Sequence, residues 1–232
     1  MLYLGGGGSE VDEARSWDLV FQSGQRITVW SFAQPSNRIR RVMDWVSSAL
    51  SQRGHFYIQL GDRGPRFGLE QADVLVIPGG NTLSLLQWVQ QNGFFTAVAS
   101  FLKGGGKVYG GSAGAILLGA DIAICDVKNG GLDENEYTLE DTQGLDLLNG
   151  AVVFPHFDAG SSAHFVTCQK WADDHSVIVS AIPEKCGVEV DETGIFRNAG
   201  PDSVHLFRHR RDAASLISGE DWYIDGRVTA VD

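Results

Sequence analysis

Lys107-Val-Tyr-Gly-Gly-Ser-Ala-Gly-Ala-Ile-Leu-Leu-Gly119 decides how this chain is read. It begins as an apolar strand, reaches Gly110-Gly-Ser-Ala-Gly114 and continues as the small, apolar start of a helix. Gly110 to Gly114 matches G-x-S-x-G, the pattern of a strand-turn-helix elbow. Small neighbours let such a turn tighten, so that a serine at a strained backbone position projects its hydroxyl. The helix behind it aims its first N–H groups at the same spot. Ser112 is therefore the candidate nucleophile. The plainer role for it is as the cap of a glycine-rich turn.

Working outward, the segments before the elbow alternate between strand and helix. Strands are predicted at Leu2–Leu4, Arg26–Phe32, Phe56–Gln59 and Ala72–Ile77. Helices are predicted from about Asn37 to Gln52, where Ile39, Val42, Met43, Val46, Ala49 and Leu50 recur at helical spacing. Two more run from about Leu83 to Gln91 and from about Phe94 to Leu102. Apolar strands without alternation, separated by helices, indicate an α/β fold: a mostly parallel central sheet flanked by helices on both faces. After the elbow, Ile122–Cys125 and Ala151–Phe154 read as strands around a polar, acidic loop, and a helix fits Ala163–Asp173. Short runs at 177–180, 187–190, 195–196, 204–207 and 222–224 suggest antiparallel strands or hairpins toward the C-terminus. With no linker or repeat in 1–232, a single domain is the economical expectation.

The composition fits a soluble globular protein, with 43% hydrophobic and 20% charged residues. A net charge of −11 argues against nucleic acid or an anionic membrane as a partner, since both call for a basic face. No apolar run is long enough to span a bilayer, and the N-terminus lacks the basic and apolar regions of a signal peptide. Cys125, Cys168 and Cys186 lack C-x-x-C spacing and suit reduced thiols, so a cytoplasmic location is expected. The glycine run Gly5–Gly8 fails as a phosphate loop, because no Gly-Lys-Ser/Thr follows. It reads instead as a loop that lets backbone approach a cleft. A homodimer is compatible with the sequence but not required by it.

A serine nucleophile needs a base, an acid to orient that base, and donors for an oxyanion. Of six histidines, His156 stands at the C-terminal end of an apolar strand, in Val153-Phe-Pro-His-Phe157. Ligands of open α/β sheets collect at that end. The order Ser…acid…His points to Asp126, at the end of the strand predicted over Ile122–Cys125. Asp158 and the later Glu184 are other acids near strand ends. Ala113 offers one oxyanion N–H, and Pro78-Gly-Gly-Asn-Thr82 offers a second from Gly79 or Gly80. Asn81 adds an amide for a substrate carbonyl or amine, or a cap for the following helix. His156, Asp158, His164 and Cys168 lie close in sequence but fit no metal-ligand spacing, so no metal is expected.

Pro78-Gly-Gly-Asn-Thr-Leu83 and Tyr109-Gly-Gly-Ser-Ala-Gly-Ala115 together resemble the dipeptidase E and cyanophycinase family of serine peptidases. Pro155-His-Phe157 falls where that family carries its histidine. The resemblance implies a fold like that of class I glutamine amidotransferases. It also implies hydrolysis of short peptides through an acyl-enzyme on Ser112, with His156 as base and neither metal nor cofactor. Asp126 falls near the family's acid, and the Gly79-Gly80 loop with Ala113 would form the oxyanion hole. One departure is plain: the segment 158–170, where dipeptidase E proteins carry arginines, contains none. An acidic substrate side chain would lack its bidentate partner, and Asp158 would favour a free amino terminus. Two other readings share these motifs: an α/β-hydrolase-like esterase, and a non-catalytic small-molecule-binding protein of the same fold.

Overall fold

A computed structural model describes residues 1–64 and 67–223. In chain order the elements are β1 (Leu2–Gly5), α1 (Ala14–Val20), β2 (Arg26–Val29), α2 (Ile39–Ser51), β3 (Tyr57–Leu60) and β4 (Val74–Ile77). Then follow α3 (Thr82–Gln91), α4 (Phe94–Lys103), β5 (Lys107–Gly111), α5 (Ala113–Leu118), β6 (Val152–Phe154) and α6 (Ser162–His175). The remainder is β7 (Val179–Ala181), β8 (Gly187–Val190), β9 (Ile195–Asn198), β10 (Val204–Arg208), β11 (Arg211–Leu216) and β12 (Asp221–Tyr223).

The larger sheet has the order β12-β9-β8-β1-β5-β4-β2-β3. Its β1, β5, β4, β2 and β3 pair in parallel, and β8 joins β1 antiparallel. Its strands are apolar on both sides because each side meets helices. Leu4, Leu75, Ile77 and Val108 pack with Leu83, Leu86, Val89 and Phe94 of α3 and α4. Tyr3, Val74, Val76 and Tyr109 face the other way, onto Trp17 and Val20 of α1 and Val46 and Leu50 of α2. Burying one such aliphatic side chain contributes roughly 1.5–3 kcal/mol, so the two layers together fix the sheet.

The C-terminal strands divide in a way the sequence reading did not anticipate. β8, β9 and β12 extend the large sheet, whereas β6, β7, β10 and β11 form a second, four-stranded sheet. Within it β6 and β7 run parallel, joined through α6, which packs Cys168, Trp171 and Ala172 onto Val152, Phe154 and Val179. The basic cluster around His209 is the tight turn between β10 and β11, with Arg210 at φ 52°. Ile122–Cys125 is not a strand: Ala123–Cys125 form a 3₁₀ turn. α1 was not anticipated, and Ile224 of the last predicted run lies outside the described residues.

Three strand ends converge at one place. β5 lies between β1 and β4, so the loops leaving β1 (Gly5–Gly8) and β4 (Pro78–Asn81) flank the elbow after β5. Among the described residues no helix is long and apolar enough to cross a membrane.

Candidate active site

Ser112 occupies the turn between β5 and α5 with φ 50° and ψ −111°, a backbone position that costs a non-glycine residue about 1–3 kcal/mol. The glycines on either side of it are a steric requirement. A Cβ at Gly114 would overlap the carbonyl of Ile77, and one at Gly110 would press on the backbone of Gly114. The tight elbow therefore needs both, and it aims the Ser112 hydroxyl into a cleft of about 350 Å3.

His156 reaches that hydroxyl from the smaller sheet. Its Nε2 lies 2.8 Å from Ser112 Oγ, and its Nδ1 lies 2.8 Å from Glu184 Oε1. The parallel register explains the meeting. Phe154 pairs with Ala181, so the chain leaving β6 reaches His156 beside the chain leaving β7, which reaches Glu184. His156 itself has φ 54°, and its N–H donates to the carbonyl of Gly6 at 2.7 Å. The loop after β1 thus fixes the backbone of His156. Gly7 lies flat against the imidazole, where a Cβ would overlap the ring. The expectation that the glycine run lets backbone approach a cleft takes this concrete form.

Asp126 is not the partner of His156. Its strand-end placement relied on a strand that is a 3₁₀ turn, and its Oδ1 instead accepts the N–H of Lys128 at 2.9 Å. Its backbone carbonyl accepts from Asn129 and Gly131, so the buried Asp126 shapes the loop that closes one side of the cleft. That loop is docked on the start of α3. Asp133 Oδ2 accepts the N–H of Thr82 at 2.9 Å, and Asn81 Nδ2 donates to the carbonyl of Glu134 at 3.0 Å. With its Oδ1 accepting from Ser84, Asn81 serves as N-cap and tether, and both of its polar atoms are occupied. Asp158 Oδ1 accepts from Gly160, and Asp158 lines a second groove that also reaches His156 and Glu184.

The glycines expected to serve an oxyanion do lie at the cleft. Gly79 packs so closely on Ser112 that an added Cβ would stand 3.2 Å from Ser112 Cβ. Among the described residues, the N–H groups of Gly79, Gly80 and Ala113 have no acceptor within the protein. Gln34, which carries no sequence motif, donates its Nε2 to the carbonyl of Gly79 at 2.8 Å. Holding that carbonyl also sets the direction of the Gly80 N–H on the other side of the same planar peptide. Replacing Gln34 with alanine is expected to lower kcat about 10-fold with little change in melting temperature, measured by steady-state kinetics and calorimetry.

The cleft is otherwise lined by Ile116, Ile124, Leu132, Val153 and Phe154, together with Cys125. Burial pushes the Cys125 thiol well above its ordinary range, which leaves it protonated and unreactive. Among the described residues, Asp133 and His156 are the ionisable side chains of the lining besides that thiol.

A model of peptidase family S51 matches residues 44–197, a span containing Ser112, His156 and Glu184. Peptidase E of Escherichia coli (strain K12 / DH10B) is 26% identical over 164 residues, covering 67% of this chain and 67% of that protein. Peptidase E of Shigella boydii serotype 18 matches to the same extent. Among solved structures, a peptidase from an acI-B1 Actinobacterium superposes with a TM-score of 0.70 at 16% identity, covering 96% of each chain. A Listeria monocytogenes EGD-e protein provisionally assigned as a peptidase E gives 0.65 at 16% identity, covering 93% of this chain and 97% of that one. At such identities the structural likeness is one of fold.

Proposed function

This chain belongs to peptidase family S51 and is a serine-type peptidase of the dipeptidase E type, and we propose that it hydrolyses short peptides through an acyl-enzyme on Ser112. The observation carrying this reading is the continuous path Ser112 Oγ, His156 Nε2, His156 Nδ1, Glu184 Oε1, with 2.8 Å at each hydrogen bond. His156 takes the serine proton as Oγ attacks the scissile carbonyl, then delivers it to the leaving amine. Water enters by the reverse sequence and releases the acid product. Glu184 accepts the Nδ1 proton of His156, which keeps Nε2 as the free base and stabilises the imidazolium that forms. The unpaired N–H groups of Ala113 and Gly79 or Gly80 receive the oxyanion.

The cleft also favours a substrate class. Among the described residues no lysine or arginine lines it, and the one carboxylate there, Asp133, is already held by the Thr82 N–H at the start of α3. A negatively charged side chain next to the scissile bond would be desolvated without a partner and repelled by Asp133. Its walls are mostly aliphatic, which suits an apolar side chain. A panel of X-Ala dipeptides tests both points. Leu-Ala is expected to exceed Asp-Ala in kcat/KM by at least about 10-fold, a difference of ~1.4 kcal/mol. Preferred cleavage of Asp-Ala would overturn the substrate assignment, and turnover of no member would overturn the peptidase mechanism.

A further inference from the structure

One buried carboxyl stands behind this site and takes no part in the mechanism above. Glu13 is 2% exposed, at the start of α1. Its Oε1 accepts the N–H groups of Gly7 at 2.9 Å and Gly8 at 3.1 Å. Its Oε2 accepts the Tyr109 hydroxyl proton at 2.7 Å, and the Tyr109 hydroxyl oxygen in turn accepts the Trp17 indole N–H at 3.1 Å. The N–H groups it binds belong to the loop whose Gly6 carbonyl holds the His156 backbone and whose Gly7 lies on the imidazole.

We infer that Glu13 is a positioning residue: its carboxylate clamps the Gly6–Gly8 loop against His156, and protonation releases that clamp, making turnover depend on the charge of Glu13. The inference rests on the reading of Ser112 and His156 as the reacting pair. The ionised carboxylate accepts all three hydrogen bonds at once. A proton on Oε2 reverses the bond to Tyr109, leaving the buried phenol proton without its acceptor, and it weakens both charge-assisted bonds to the loop. The clamp therefore relaxes toward the backbone that aims the imidazole.

The surroundings leave Glu13 free to change charge where the others do not. Desolvation pushes its carboxyl up to about 7, against the opposing pull of its bonds to Tyr109, Gly7 and Gly8. Tyr109, facing it from β5, is pushed well above its usual range by burial. Cys186, near the start of β8, is pushed up to about 12 by burial. Neighbouring Asp12 is held below the usual carboxylate range by its hydrogen bonds from Ser9 and stays ionised. Among the described residues no lysine or arginine pairs with Glu13. Near neutral pH, Glu13 is thus the member of this cluster that titrates.

The test is the pH profile of kcat/KM on a cleaved dipeptide, between about pH 5 and pH 9, for the wild type, Glu13→Gln and Tyr109→Phe. In the wild type, activity falls more steeply toward acid than in Glu13→Gln, because protonation of Glu13 adds the loss of the clamp to the acid limb. Glu13→Gln is permanently neutral. It should be about 10-fold slower at alkaline pH and show a shallower acid limb, while Tyr109→Phe, which removes a bond to the carboxylate, should move the acid limb to higher pH. An unchanged slope in Glu13→Gln would overturn the inference. A second reading needs no turnover: in folded Ser112→Ala protein, the amide signals of Gly7 and Gly8 and the His156 ring signals should shift together as Glu13 titrates. Their failure to do so overturns the clamp, whatever the variants' stability. Absence of turnover with the coupled shifts intact overturns the peptidase mechanism instead.

Discussion

Replacing Ser112 with alanine is expected to lower kcat on every cleaved peptide by ~10⁴-fold or more, leaving binding nearly unchanged. The serine oxygen forms and breaks the bond in both halves of the reaction, so no neighbouring group replaces it. What remains is whatever the oxyanion donors and the cleft do for direct attack by water. The fold should survive, because alanine pays the same backbone cost as serine at φ 50° and removes only a hydroxyl bonded to His156. Circular dichroism and steady-state kinetics on a preferred dipeptide check the two halves of the statement. Wild-type turnover in the alanine variant would remove Ser112 from the mechanism.

Glu184 and Asp126 should separate just as clearly. Glu184→Gln is expected to reduce kcat by ~10²-fold, because the amide offers either an N–H or a carbonyl to Nδ1 and no longer enforces the tautomer with a free Nε2. The loss should be smaller than for a fully buried triad acid, since the Glu184 side chain is 61% exposed and water shares its work. Asp126→Asn should leave kcat within about 3-fold, because the amide oxygen still accepts the Lys128 N–H that shapes the loop. Parallel kinetics on the two variants decide the matter. A collapse of activity in Asp126→Asn with Glu184→Gln unaffected would return the orienting role to Asp126.

The contrast between these two acids shows what the sequence made legible. The elbow could be read because its pattern is local: strand, G-x-S-x-G and helix start follow one another in sequence, and a Cβ at Gly110 would press on the backbone of Gly114 four residues on. His156 could be read because an apolar strand ending in proline-histidine points at the ligand side of a sheet. The acid could not, because its identity depends on which strand lies beside β6. That neighbour, β7, follows a helix and pairs in parallel within a second sheet, whereas short C-terminal runs read as hairpins. Helices α2, α3 and α4 announced themselves by periodicity or caps. α1, seven residues long and overlapping a polar run, did not. Gln34 and Glu13 were invisible for another reason. Each serves the site by a side-chain bond to a glycine loop, one 45 residues away and the other only five or six, and neither residue type carries a signal for that.

The two-sheet construction has one more consequence. Ser112 rides on the end of β5 in the large sheet, while His156 and Glu184 ride on the ends of β6 and β7 in the small one. The hydrogen bond between Ser112 and His156 therefore joins side chains carried by different sheets, which are held together by one core: Leu4 and Val108 of the large sheet share a cluster with Val153, Leu206 and Leu216 of the small one. A displacement of one ångström between those two side chains would interrupt proton transfer without breaking a strand of either sheet, so catalysis is more sensitive to how the sheets are packed than the secondary structure is.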